Sequence, residues 1–220
     1  MAMDEAALIG LAAQLRKPAG EWAAKVGEFM NTGNALLNKR AIDALQVQPN
    51  DSILEIGMGN GFFVKDILAF HETASYTGYD YSPEMVNEAV KNNRGFVEAN
   101  RAAFFCGDAR KMLFKDAVFN KVLTVNTIYF WDNREEILAE IARVLQPGGM
   151  LVIGIRPEHI MKAYPMTKYG FKMYSAQELQ DFLISGGFNI ASVIEADEPQ
   201  HEIGGVQVDV ASLIVCARLS

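Results

Sequence analysis

Residues 53–63 read ILEIGMGNGFF: one acid, Glu55, set in an apolar run, then Gly57, Gly59 and Gly61 on alternate positions. Glycine at a strand end lets the chain turn sharply and lets a ligand lie against bare backbone, with no Cβ between them. The spacing G-x-G-x-G is one residue shorter than the G-x-G-x-x-G of dinucleotide sites, so the third glycine is not placed to serve a pyrophosphate. Asp80 follows in YTGYDYS. An acid about twenty residues past such a loop is suited to accept hydrogen bonds from two ribose hydroxyls. Asp108, in CGDA, is suited to accept one from the exocyclic amine of adenine, and Asn126 ends the next apolar run.

These residues share a position in the pattern: each closes a strand. SILEIG, SYTGYD, AAFFCG, FNKVLTVN and MLVIGI alternate with helical stretches FFVKDILAF, SPEMVNEAVKNN and NREEILAEIARVL. Such alternation predicts a parallel sheet with helices on both faces, in which ligands bind outside the carboxyl ends of the strands. Ser82, Pro83 and Glu84 mark a helix start, and Ser175 with Glu178 forms a capping box. Pro147–Gly148–Gly149 stops the helix before MLVIGI. After the helix SAQELQDFLISGG come two strands, NIASVIEA and VQVDVASLIVCARL, separated by DEPQHEIGG, so the sheet ends in an antiparallel hairpin. The expected fold is α/β and Rossmann-like: about seven strands, mostly parallel, with the last antiparallel. The first 48 residues read as a helical cap on a domain spanning 49–220, with 155–175 as a candidate substrate lid.

Composition narrows the function classes. The net charge of −7 argues against nucleic acid as the main partner, because phosphate binding needs a basic stripe. Half the residues are hydrophobic, enough for a real core, yet no apolar window reaches membrane-spanning length. Cys106 and Cys216 sit in strand-like runs and read as core thiols, and no metal is implied. The N-terminus has early acids and no basic start, unlike a signal peptide. A cytoplasmic protein, monomer or homodimer, is the expectation.

Taken in order, ILEIGMGNG, GYDYSPEM, FFCGDA, VLTVNTIYFW and ARVLQPGGMLVI resemble the class I S-adenosylmethionine-dependent methyltransferases, over residue 50 to the end of the chain. Within that class the similarity is to small-molecule enzymes, including those of quinone biosynthesis. NTIYFW departs from the motif that follows strand four in amino-methylating DNA and protein enzymes. The resemblance implies S-adenosyl-L-methionine as cofactor and S-adenosyl-L-homocysteine as product. Glu55 would hold the amino acid end, with Gly57, Gly59 and Gly61 beneath that end and the ribose. Asp80 would bind the ribose hydroxyls, and Tyr81 and Met85 would flank the adenine. Asp108 and the backbone at Ala109 would read the adenine edge, and Asn126 would lie near the transferred methyl.

For catalysis or acceptor shape, the candidates lie on the rim loops: Tyr129, Phe130 and Trp131 after strand four, and Glu158 and His159 with Tyr164, Tyr169 and Tyr174 in the insertion. Tyr129 and His159 are the candidate catalytic groups. RKPAGEWAAKVGEFMNTGN offers Asn31 and Asn34 to a cofactor carboxylate. The competing readings are a non-catalytic module that binds S-adenosylmethionine and a nicotinamide-dependent oxidoreductase.

Overall fold

The computed structural model describes residues 3–203 and 205–220. Met1 and Ala2 of the expected cap, and Gly204 of the expected hairpin connection, lie outside the described residues. The strands are β1 Ser52–Ile56, β2 Ser75–Asp80, β3 Ala102–Cys106, β4 Phe119–Val125, β5 Leu145–Ile155, β6 Phe188–Ile203 and β7 Val206–Leu219. They form one sheet in the order β3-β2-β1-β4-β5-β7-β6. β1 to β5 pair in parallel, and β7 lies antiparallel between β5 and β6. The order reverses at β1, whose neighbours are β2 and β4, so the carboxyl end of β1 is the switch point.

Strand alternation divides the apolar residues between two cores. Leu54, Val122, Leu151 and Leu213 face helices α7 (Arg134–Val144) and α9 (Ala176–Ser185). Ile53, Leu123, Val152 and Ile214 face α3 (Ala35–Leu45), α4 (Val64–Leu68) and α5 (Pro83–Asn92). Helix starts follow their caps. The Ser82 hydroxyl accepts the Met85 N–H at 3.2 Å, and Ser175 and Glu178 exchange the two bonds of a capping box.

Several boundaries differ from the sequence reading. The second strand of the final pair begins as expected, but β6 runs on to Ile203, through residues read as a connection. EADEPQHE is polar because this part of the hairpin is exposed, which hides the strand period. β5 starts at Leu145, where the chain passes straight from α7 into a strand with a register shift opposite Phe119/Lys121. A short α6 (Arg94–Glu98) and α8 (Glu158–Met161) are additional. Cys216 is buried, but Cys106 is exposed, because it ends an edge strand.

Of the expected N-terminal cap, α3 belongs to the sheet's own packing, with Leu37, Ala41, Ile42 and Leu45 in the second core. Only α1 (Glu5–Arg16) and α2 (Ala23–Gly33) extend over the strand ends. Among the described residues no helix is long and apolar enough to cross a membrane.

Gly61 serves this packing. Its φ is +67°, and a Cβ there would lie 2.7 Å from the Asn93 side chain and 3.2 Å from the backbone of Ala89 on α5. Gly61→Ala therefore combines a left-handed alanine with overpacking, and should cost about 2–4 kcal/mol. Urea denaturation should show a lower midpoint at unchanged slope.

Candidate active site

A cavity of about 260 Å³ opens at the carboxyl ends of β1 to β4. Its floor is the turn after β1. Gly57, at φ +75°, donates its N–H to the Tyr79 carbonyl at 2.7 Å. A Cβ at Gly57 would fall 2.1 Å from the Thr127 methyl, so this glycine permits the loop after β4 to close in. Gly59, at φ +56°, differs: a Cβ there would meet nothing, since it borders the open cavity. Its N–H donates to Asp80 Oδ2 at 3.0 Å, while Oδ1 accepts the Ser82 N–H at 2.9 Å. One carboxylate thus fixes both the glycine turn and the start of α5. Burial pushes the Asp80 carboxyl up, opposed by these backbone donors.

Glu55 points to the same cavity and is 5% exposed. Its Oε2 accepts the Tyr76 hydroxyl at 2.6 Å. Burial pushes its pKa up to about 7, with the Tyr76 bond lowering it and the nearby Asp80 charge raising it. Among the described residues no cation acts on this buried carboxylate, which suits a ligand that brings one.

Asp108 is already engaged. Arg110 Nε lies 3.0 Å from both its oxygens and Nη2 2.5 Å from Oδ2, and this bond holds its pKa low. Both residues line the cavity, with Ala109 between them. Met85 is fully buried behind the rim, and Tyr81 is half exposed with the Lys17 ammonium 4.1 Å from its ring centroid. Asn126, in left-handed conformation, closes β4.

The structure gathers Glu55, Gly57, Gly59, Asp80, Tyr81, Met85, Asp108, Ala109 and Asn126 around one cavity. Gly61, Tyr129 and His159 are not on its wall. Gly61 packs on α5, as described. Tyr129 is buried, and its hydroxyl accepts the Arg156 N–H at 2.7 Å. The same oxygen lies 3.0 Å from both Asn126 Oδ1 and the Arg156 carbonyl, to either of which it can donate. Burial raises its pKa, and its hydrogen bonds tie the carboxyl ends of β4 and β5 together. His159 is exposed on α8, 3.7 Å from Glu195. Its loop, 155–175, does not line the cavity either; it carries the turn Pro165–Lys168, and Tyr169 in it donates to Glu5 at 3.2 Å, holding α1 from outside.

The roof comes from the N-terminus. Leu15, Arg16 and Pro18 cross the opening, and Met30, Asn31, Asn34 and Asn38 descend from α2 and α3. Arg16 pairs with Asp132 on the far rim. The Ser82 hydroxyl donates to the Pro18 carbonyl at 2.5 Å. Phe130 and Trp131, on the loop after β4, also line the cavity. Leu15, Asn38 and Thr127 escape the sequence reading; the one signal for the strap was the helix break at Lys17–Pro18.

An acid whose folded pKa lies above its unfolded value contributes stability at low pH and loses it as pH rises. For Glu55 that loss runs from about 4.5 to about 7. Glu55→Gln should therefore stabilise the ligand-free protein at pH 8 by up to about 3 kcal/mol, with the difference vanishing below about pH 5, in melts across pH. Tyr129→Phe leaves the buried Arg156 N–H without its acceptor and should cost about 1–3 kcal/mol in urea. His159→Ala should change stability by less than about 0.5 kcal/mol.

Comparison with known proteins agrees with this geometry. Residues 54–153 match the methyltransferase-domain family. The chain is 26% identical over 160 residues to the uncharacterized methyltransferase YdaC of Bacillus subtilis, covering 73% of this chain and 84% of that one. It is 31% identical over 126 residues to 24-methylenesterol C-methyltransferase 2 of Arabidopsis thaliana, covering 57% of this chain and 35% of the longer relative. In fold it is similar to a SAM-dependent methyltransferase from Aquifex aeolicus, with a TM-score of 0.71 at 18% identity over 90% of this chain and 98% of that one. The glycine turn held by an acid at the switch point, the sheet with β7 reversed, and these matches agree: residues 54–153 carry a methyltransferase domain, and the chain has the fold of the class I S-adenosylmethionine-dependent methyltransferases.

Proposed function

We propose that this chain transfers a methyl group from S-adenosylmethionine to a small, apolar acceptor in the cavity above β1 to β4. The observation that carries the reading is the convergence of Glu55, Asp80 and the bare backbone of Gly59 on one cavity wall. The residues fit the cofactor's parts. Asp80 keeps acceptor capacity beyond its two backbone bonds, for a pair of ribose hydroxyls. Glu55, buried without a cation, suits the ammonium of the methionine end, and the carboxamides of Asn31 and Asn34 suit its carboxylate. Met85 and Tyr81 flank the adenine. Asp108 reads the adenine amine by sharing its carboxylate with Arg110.

The cofactor's sulfonium supplies an already activated methyl group, so the protein's work is alignment and exclusion of water. The acceptor, attacking in line with a lone pair or π electrons, would gain one positive charge and release a proton to solvent to restore balance, while the electrons of the broken C–S bond stay on sulfur. Phe130, Trp131, Met30 and Leu15 form the apolar side on which an acceptor would lie. Arg16 and the residues to Pro18 close that side from above. The sterol methyltransferase among the relatives supports an apolar acceptor. Neither Tyr129 nor His159 touches the cavity, so the reading assigns neither a proton transfer.

Calorimetric titration of S-adenosylmethionine and S-adenosylhomocysteine tests the site. Both should bind, and Asp80→Ala should weaken binding about 100-fold, the loss of two hydrogen bonds to a charged group. Acceptors screened by release of S-adenosylhomocysteine should favour apolar small molecules. Binding with no turnover on any acceptor would support a non-catalytic module. Binding of a nicotinamide cofactor in place of both compounds would sink the methyltransferase reading.

A further inference from the structure

Tyr76 belongs to none of the expected site positions. It sits on β2, four residues before Asp80 and so on the same face of the strand. It is 2% exposed, among Ile53, Ala102 and Leu123 of the second core, with the Phe104 ring 5.9 Å away. A phenol in such a place needs a partner for its hydroxyl. Its partner is Glu55 Oε2, at 2.6 Å. Register explains the reach: Glu55 lies beside Gly78, two residues on from Tyr76, so the Glu55 and Tyr76 side chains leave the sheet on the same face, and Gly78 itself gives room to Phe104 and Met58.

We propose that Tyr76 is the positioning residue for the ammonium of the methyl donor: it holds one oxygen of Glu55 and keeps that carboxylate ionised and aimed into the cavity. The assignment rests on the methyl-donor reading above. A buried carboxylate with one strong donor is more readily ionised than the same group without it. Without Tyr76, Glu55 would meet the ligand as a neutral acid across most of the neutral range. The other groups acting on Glu55 are its burial and Asp80, and both favour the neutral form. The remaining charged groups on the described cavity wall, Arg16, Asp108, Arg110 and Asp132, are partly exposed and paired with each other at the rim. Asn34 and Asn38, from α3 and the turn before it, are uncharged.

The test is the ratio of dissociation constants for S-adenosylhomocysteine between each variant and the wild type, from about pH 6 to pH 9. The ligand's own titration cancels in that ratio. Tyr76→Phe should bind about 10- to 100-fold more weakly near pH 6.5, converging to within about twofold near pH 9. Glu55→Gln should show the opposite trend, with its deficit widening as pH rises. Site-specific 3-fluorotyrosine at position 76, a stronger donor of nearly the same shape, should move the profile to lower pH. It also keeps the proposal testable should Tyr76→Phe fail to fold. A Tyr76→Phe deficit that is constant across pH would mean a packing role and would overturn the proposal, as would an unmoved profile with fluorotyrosine. A wild type that binds no S-adenosylhomocysteine at any pH would overturn the methyl-donor reading itself, and this assignment with it.

Discussion

The Asp80 carboxylate is the pivot of the strand ends. It accepts from Gly59 on one oxygen and from Ser82 on the other, so the turn after β1 and the first turn of α5 share a single acceptor. The turn itself is left-handed at both Gly57 and Gly59. That geometry brings Thr127 against Gly57 and leaves Gly59 bare toward the cavity. Shape and charge at the floor are therefore one construction. A side chain at either position would be strained, and at Gly57 it would also push away the loop carrying Phe130 and Trp131.

The same rim concentrates negative charge in poor solvent. Glu55 and Asp80 are both raised by burial, and the Asp80 charge raises Glu55 further. Such an arrangement costs stability in the ligand-free protein and is offset when a cation and hydroxyl donors enter. Active sites hold unfavourable charge in this way because the same groups that destabilise the empty fold bind the ligand. Tyr76 moderates the cost from below, with a neutral donor that adds no charge of its own.

The roof depends on a part of the chain far from the cavity. Arg156, at the end of β5 and 5% exposed, donates to the Gly33 carbonyl at 2.8 Å and to Glu198 at 3.3 Å. Arg40, on α3, donates to the carbonyls of Ala196 and Asp197, each at 2.9 Å. The elbow between α2 and α3, where Asn34 sits, is thus tied to the β6–β7 hairpin. Removing a buried guanidinium from such a network leaves several acceptors unpaired at once. The long hairpin has a structural reason: its outer half extends past the sheet to meet this elbow.

The carboxyl ends of β1 to β5, the caps and the cavity rim were legible from local pattern. Strand alternation, turn chemistry and the G-x-G-x-G spacing are short-range features, and they located Glu55, Gly57, Gly59, Asp80, Asp108 and Asn126 together. Tyr129 and His159 show the limit. Both are chemically able residues on rim loops, and a one-dimensional string does not say which way a loop side chain points. Tertiary structure turned Tyr129 inward, where the Arg156 backbone claims its hydroxyl, and left His159 in solvent beside Glu195. The same holds for Tyr76, which reads as an ordinary strand aromatic until β1 pairs beside β2. The sequence by itself determined the sheet's elements, their carboxyl-end chemistry and the methyltransferase domain. Tertiary structure alone decided which side chains share the cavity, because that depends on register and loop direction between residues distant in the chain.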